Sequence, residues 1–389
     1  MSLIEQGNQY VMNTYGRYPV VLTHGEGVYV YDENGKKYID MCAGIAVNAL
    51  GYGHQKLTET LKAQIDKLMH VSNLYYTQPQ VNAAKTLVAN SEFDYVFFCN
   101  SGAEANEAAI KLAKKYGKLK NENKIELIAM KQSFHGRTCG ALTATGQMKY
   151  QKYFLPLLPG TKYAQYNDIE SLKEVINENT CGVILEVIQG ESGIIPAQHE
   201  YLKEVQALCR QYDALLIIDE VQTGIGRTGK LFAYENFGIH PDVVTMAKGL
   251  GGGVPIGGMM CKKEVAVFVP GDHASTFGGN PLVTSAVGVV IEELTQNGLL
   301  QHVQEVGEYL TEALTKLKEE VDCIIDVRGI GLMQGVEITK APKDVINKCL
   351  EKGMLIVGAG EKVIRFVPPL IVTKSQIDEA VAILKEALQ

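Results

Sequence analysis

Three short stretches carry residue types that could do chemistry. In residues 215–222, LLIIDEVQ, an apolar run of strand length delivers Asp219 and Glu220 at its carboxyl end, which is where open α/β sheets place their ligands. A carboxylate there could hold magnesium, face a cationic cofactor nitrogen, or cap the next turn. In DVVTMAKGLGGGVPIGG a second apolar run ends at Lys248 and opens into glycines. An ammonium is costly to bury, and desolvation lowers the amine's pKa until it is nucleophilic near neutrality. Glycines let the backbone come close to a bound group. In residues 100–103 a strand passes into a helix whose unpaired N–H groups suit a phosphate, with Ser101 adding a hydroxyl. Taken singly, the lysine reads better as an exposed loop residue and Ser101 as an ordinary N-cap.

Just downstream of Asp219, GIGRTG matches GxGxxG, and residues 224–230 match GxxxxGK. Neither supports a nucleotide site. Leu231 stands where Ser or Thr would hold magnesium, the acidic strand precedes the glycines, and DEVQT separates that strand from the first glycine. The glycines are expected to form a tight loop. The three stretches together do narrow the chemistry. A phosphate cradle, a strand-end carboxylate and a strand-end lysine are what pyridoxal 5'-phosphate requires. Asp219 would keep the pyridine nitrogen protonated, while Lys248 would carry the cofactor covalently and move a proton.

The elements that must position these groups alternate between strand and helix. Strands are expected at Tyr95–Cys99, 124–130, 182–188, Leu215–Asp219 and 243–247, with a helix over 103–115. That order implies βαβ units and a largely parallel sheet, with near-continuous apolar strands buried on both faces. Residues 28–40, VYVYDENGKKYID, read as a hairpin turning at Asn34–Gly35, and beyond about residue 290 the pattern changes to an α+β mixture. The expected organisation is a large α/β domain over 49–289, with 1–48 and 290–389 combining into a smaller α+β domain.

The 389-residue chain is 46% hydrophobic with a net charge of −7, ample for a sizeable core and unsuited to broad nucleic-acid binding. No apolar run is long enough to span a membrane, and no basic-then-apolar leader opens the chain, so a cytoplasmic location is expected. Eight scattered cysteines form no CxxC pair; they are expected to be reduced residues of the core, with no metal site.

NSGAEANEAAIK, FHGRT, IIDEVQTGIGRTG, AKGLGGGVPIGG and STFGGNP follow one another in the order found in class III aminotransferases, which the chain resembles over nearly its whole length. The resemblance implies a fold-type I pyridoxal-phosphate transferase: a large, mostly parallel mixed-sheet α/β domain and a smaller α+β domain built from both termini. Ser101, Gly102 and Ala103 would cradle the phosphate, and Phe134 would stack on the ring. Asp219 would meet the pyridine nitrogen, with Glu220 and Val221 beside it and Gln222 near the ring hydroxyl; Lys248 would be the attachment lysine. Arg137 would clamp the substrate carboxylate. Ser275 and Thr276 would reach substrate and phosphate in the neighbouring subunit of a homodimer with shared active sites. Glu186 and Arg365 would form a switch pair, closed for the donor amine and open for 2-oxoglutarate.

The N-terminal segment TYGRYPVVLTHGEGVYVYDENGKKYIDMCAGIAVNALGYGH narrows the resemblance toward enzymes that move the terminal amino group of N2-acetylornithine to 2-oxoglutarate in arginine biosynthesis. Ornithine, N-succinylornithine, succinyldiaminopimelate and 4-aminobutyrate are the alternative donors. A pocket separating amide from ammonium would draw on Tyr15, Tyr18 and residues 43–47. Ala103 stands where many relatives have threonine, so one phosphate hydroxyl is absent.

Overall fold

The computed structural model describes residues 1–389. At its centre is a seven-stranded sheet. Its order in space is Tyr95–Cys99, Gly257–Cys261, Val243–Met246, Leu215–Asp219, Thr180–Leu185, Glu126–Met130, Thr161–Ala164. Every neighbouring pair is parallel except the two made by Gly257–Cys261, which runs antiparallel to both its neighbours. The expected strands fall in place to within a few residues, and Gly257–Cys261 is the reversed one that the βαβ reading did not single out.

Alternation along the strands decides what each face meets. Leu215 and Ile217 pack with Ala108, Ala109 and Ala113 of the helix Gly102–Lys120, whereas Leu216 and Ile218 join the larger core on the opposite face. The small alanines let that helix lie close to the sheet. At its start, the Ser101 hydroxyl accepts the Glu104 N–H at 3.2 Å, and the Glu104 carboxylate accepts the Asn100 N–H at 2.6 Å. Two free donors at the strand-to-helix junction are thereby satisfied, and the junction is held firmly.

The ends of the chain build two further four-stranded sheets, one shared by both ends and one from the C-terminal part alone. The hairpin strands Tyr29–Asp32 and Lys37–Asp40 join Leu22–Glu26, and the short C-terminal strand Met354–Leu355 closes that sheet. Gly35 at the hairpin turn has φ 78°, and Asp32 Oδ1 accepts the Asn34 and Lys36 N–H groups, both at 2.9 Å. A second sheet orders Ile324–Ile330, Met333–Ile338, Val363–Phe366 and Val357–Ala359. The GIGRTG loop docks on this part of the chain. Gly226 and Gly229 have φ 84° and 85°, a Cβ on Gly229 would sit 2.6 Å from Gln304, and buried Arg227 donates to the carbonyls of Leu332 (3.1 Å) and Pro368 (2.5 Å). The glycines therefore serve close packing between the central sheet and the C-terminal part. Cys139 is exposed and Cys42 and Cys323 are half-buried, which departs from the expectation that all eight cysteines lie in the core; none is in a disulfide. No helix is long and apolar enough to cross a membrane.

Candidate active site

Because the parallel strands run the same way, their carboxyl ends deliver Lys248, Asp219, Glu186, Phe134 and Ser101 to the rim of one cavity of about 520 Å3. Lys248 follows Val243–Met246 with φ 43°, a left-handed conformation that costs strain in a non-glycine residue. Burial pushes its amine down to about 8; Glu191, Asp219 and Glu186 pull the other way, and Arg365 adds to the lowering.

Asp219 is almost fully buried at the base of the cavity. Its Oδ1 accepts the Val221 N–H at 2.9 Å. Its Oδ2 accepts Asn106 Nδ2 at 2.8 Å and lies 2.7 Å from His135 Nδ1. Asn106 also donates to the His135 carbonyl (2.8 Å) and accepts the Thr245 hydroxyl (2.7 Å), so its amide is fully committed. Burial alone would depress the His135 imidazole, but the hydrogen bond and charge of Asp219, helped by Glu186, carry it upward. The imidazole and the Asn106 amide together fix the orientation of the Asp219 carboxylate toward the cavity.

The other wall is the start of the helix Gly102–Lys120. The first backbone bond into that helix is Ala105 N–H to the Ser101 carbonyl at 3.1 Å, which leaves the N–H groups of Gly102 and Ala103 ahead of the ladder and at the cavity. Gly102 is required by packing, since a Cβ there would lie 2.6 Å from Val221 Cγ1. Phe134 and Arg137 stand at the mouth. The guanidinium lies over the Tyr150 ring at 4.1 Å and over Phe134 at 5.6 Å, yet stays exposed enough to meet a carboxylate.

A lysine amine with a lowered pKa, a buried anion and a phosphate-ready helix start surround one space. They match in kind the carbonyl, the cationic ring nitrogen and the phosphate of pyridoxal phosphate. Comparison with known proteins agrees. Residues 10–388 match the family model for class-III aminotransferases, and the chain belongs to that family. It is a pyridoxal-phosphate-dependent transaminase of fold type I. It is 52% identical to the acetylornithine aminotransferase of Caldanaerobacter subterraneus over 99% of both chains. It is also 52% identical to that of Aquifex aeolicus, over 97% of this chain and 100% of the relative. Among solved structures, N-acetylornithine aminotransferase from Stenotrophomonas maltophilia matches with TM-score 0.85 and 36% identity over 99% and 98% of the two chains. An ornithine aminotransferase from Toxoplasma gondii, described with pyridoxal phosphate at its active site, matches with TM-score 0.95 and 32% identity over 99% and 93%. The fold therefore does not separate the two donors.

Ten of the residues expected at the site line the cavity: Ser101, Gly102, Ala103, Phe134, Arg137, Glu186, Asp219, Val221, Gln222 and Lys248. Glu220 does not. As the residue after Asp219 it falls on the opposite face of the sheet, where its carboxylate accepts the N–H groups of Ala233 (2.9 Å) and Tyr234 (2.7 Å) and the Thr223 hydroxyl (2.8 Å). It anchors a turn rather than the cofactor.

The expected pairing of Glu186 with Arg365 is also corrected. Arg365 Nη1 pairs with Glu191 at 2.6 Å and donates to the Gln222 amide oxygen at 2.9 Å, while Gln222 Nε2 donates to Glu191 at 3.3 Å. Both ends of the Gln222 amide are thus spent on this pair. Glu186, buried and pushed up to about 7 by desolvation, instead accepts the Phe134 N–H at 3.1 Å and the Gly190 N–H at 3.4 Å. Burial would raise the Glu191 carboxyl too, but the charge and hydrogen bond of Arg365 outweigh that and bring it below the usual range. Glu191, five residues beyond Glu186 in EVIQGE, is the acid that sequence reasoning missed, along with His135 and Asn106. Asn106 lies in NSGAEANEAAIK and His135 in FHGRT, so for these two the available signal was a polar residue in a motif with no assigned partner.

Ser275 and Thr276 lie outside this chain's own cavity. The Ser275 hydroxyl accepts from Asn100 Nδ2 (3.1 Å) and from the Gly278 N–H (3.0 Å). Of the expected donor pocket only Val47 reaches the cavity; Tyr15 and Tyr18 are exposed on this chain. Residues 43–46 form a left-handed turn with φ between 48° and 67°, held by Asp40, whose Oδ1 accepts the Cys42 and Ala43 N–H groups at 2.9 Å each.

Proposed function

We propose that this transaminase moves the terminal amino group of N2-acetylornithine to 2-oxoglutarate, giving N-acetylglutamate 5-semialdehyde and glutamate in arginine biosynthesis. The observation that carries an ω-amino donor is the pairing of buried Arg365 with half-buried Glu191, whose charges both act on Lys248. A terminal amine presents no carboxylate next to the reacting carbon, so an unpaired arginine there would be a desolvated charge without a partner. The later substrate, 2-oxoglutarate, does bring a carboxylate to that position. Glu191 neutralises Arg365 for the first substrate and leaves it for the second. Arg137, free at the mouth, takes the far carboxylate in each case through its bidentate fork. The acetylated donor is supported by the names of relatives about half identical over the whole chain.

Pyridoxal phosphate supplies a carbonyl for the amine to condense with and a ring that accepts the electrons released at carbon. The chain's residues do the rest. Asp219, oriented by His135 and Asn106, would hold a proton on the ring nitrogen; Lys248, returned to its neutral form, would carry the proton between substrate carbon and cofactor.

Glu191→Gln tests the gate. It leaves Arg365 without its counter-charge, so the half-reaction with N2-acetylornithine is expected to slow about tenfold while that with glutamate holds, a coupling of ordinary size. Equal slowing of both half-reactions, followed by stopped-flow absorbance, would remove the gate.

The active form is proposed to be a cytoplasmic homodimer. Leu74, Tyr75, Tyr76 and Phe277 are exposed, and Asn73 donates to the carbonyls of Ser275 and Gly278 at 2.9 Å each, which sets these apolar side chains near the Ser275–Thr276 loop; exposed apolar clusters mark protein interfaces. That loop would complete the neighbour's site. Light scattering should give the mass of two chains; a monomer active at working concentration would contradict the shared site.

A further inference from the structure

Glu191 sits in residues 190–194, the turn joining the short antiparallel strands Ile188–Gln189 and Ile195–Pro196. This turn is strained at its far end: Gly193 has φ 120°, and Ile194, a β-branched residue, has φ 53°. It lies across one row of the C-terminal sheet. Register places Arg328 opposite Gly335, and Gly335 opposite Arg365, so the three positions share a face. Arg365 grips one end of the turn through the Glu191 carboxylate and the Gly190 carbonyl (3.4 Å). Arg328 grips the other end, its Nε donating to the carbonyls of Gly193 (3.0 Å) and Ile194 (3.1 Å). Between them Gly335 leaves the room the turn occupies, since a Cβ there would fall 2.9 Å from Ile194 Cβ. Arg328 is itself braced, Nη1 pairing with Asp326 at 2.9 Å and Glu337 at 2.7 Å.

We infer that Arg328 is a positioning residue for the Glu191–Arg365 gate: it fixes the strained end of the turn so that Glu191 swings about a defined hinge and returns to Arg365. This rests on the gate reading above. Glu191 has to part from Arg365 in every catalytic cycle. A turn fastened only at Arg365 would drift once that contact broke. The Glu191 backbone carbonyl, held by the Gly360 N–H at 2.9 Å, and the Arg328 clamp together confine the motion to the side chain.

The test uses the holoenzyme and reads the two half-reactions separately. Arg328→Gln removes the charge-assisted clamp, so the donor-to-glutamate ratio of half-reaction rates is expected to fall about tenfold, in the same sense as Glu191→Gln. Arg328→Lys, which keeps the charge but not the fork, should fall between wild type and Arg328→Gln. Gly335→Ala, pressing on the turn from the sheet, should shift the ratio in the same direction. Amide hydrogen exchange at residues 191–194 should speed up in Arg328→Gln. If Glu191→Gln changes the ratio while Arg328→Gln and Arg328→Lys slow both half-reactions equally, or neither, Arg328 only stabilises the fold and the inference is overturned. If Glu191→Gln itself leaves the ratio unchanged, the gate reading fails and takes the inference with it.

Discussion

Replacing Lys248 with alanine should abolish turnover and leave the cofactor bound without a covalent link. Two roles vanish together: the amine that captures the cofactor carbonyl, and the base that carries the proton at the substrate carbon. Positioned acid–base groups are worth about 10²–10⁴-fold, and losing covalent capture adds to this, so the residual rate should lie roughly 10⁴-fold or more below wild type. The apoenzyme also sets the sign of a pH effect. Burial holds the amine at about 8, so its neutral, reactive fraction grows as pH rises and levels off above that value. Covalent capture of added pyridoxal phosphate, followed in the visible spectrum, should therefore accelerate from pH 6 to about 8 and then flatten. A rate still climbing toward the ordinary lysine range would mean that the cavity does not desolvate Lys248.

Asp219→Asn should keep the fold and bind cofactor, yet lose roughly 10³-fold in kcat, within the range for removing a preorganised charge from a site with little water. The substitution is close in shape, but the anion is gone and one oxygen becomes an N–H donor. Asn106 Nδ2 already donates to Oδ2 and the Val221 N–H to Oδ1, so the new amide must face a donor on one side. His135 loses the charge that raises it, and its imidazole should titrate lower in the variant, which NMR can follow. A variant retaining more than about a tenth of the wild-type kcat would show that ring protonation does not depend on this carboxylate.

The sequence made the central sheet legible because its strands are short apolar runs broken by helical stretches, and the motif order placed Lys248, Asp219 and the cradle at strand ends. Alternation could also have removed Glu220 from the site: adjacent strand residues face opposite ways, and Leu215 and Ile217 share a face with Asp219. The Arg365 partner was not legible. Glu186 and Glu191 lie five residues apart, and only the turn after Gln189 brings the second acid to the arginine, while the first accepts the Phe134 N–H. His135 was hidden by its neighbours in FHGRT, whose ring and guanidinium have more obvious uses. Arg328 is tied to the site by strand register alone, which the sequence does not display.

The most direct test is the visible absorption spectrum of the purified holoenzyme before and after N2-acetylornithine is added with no acceptor present. The bound-cofactor band should bleach with N2-acetylornithine, and more slowly or weakly with ornithine and 4-aminobutyrate, then return on adding 2-oxoglutarate. A band that ignores N2-acetylornithine but bleaches with another amine would contradict the proposed donor, and no band even with added pyridoxal phosphate would contradict the central claim.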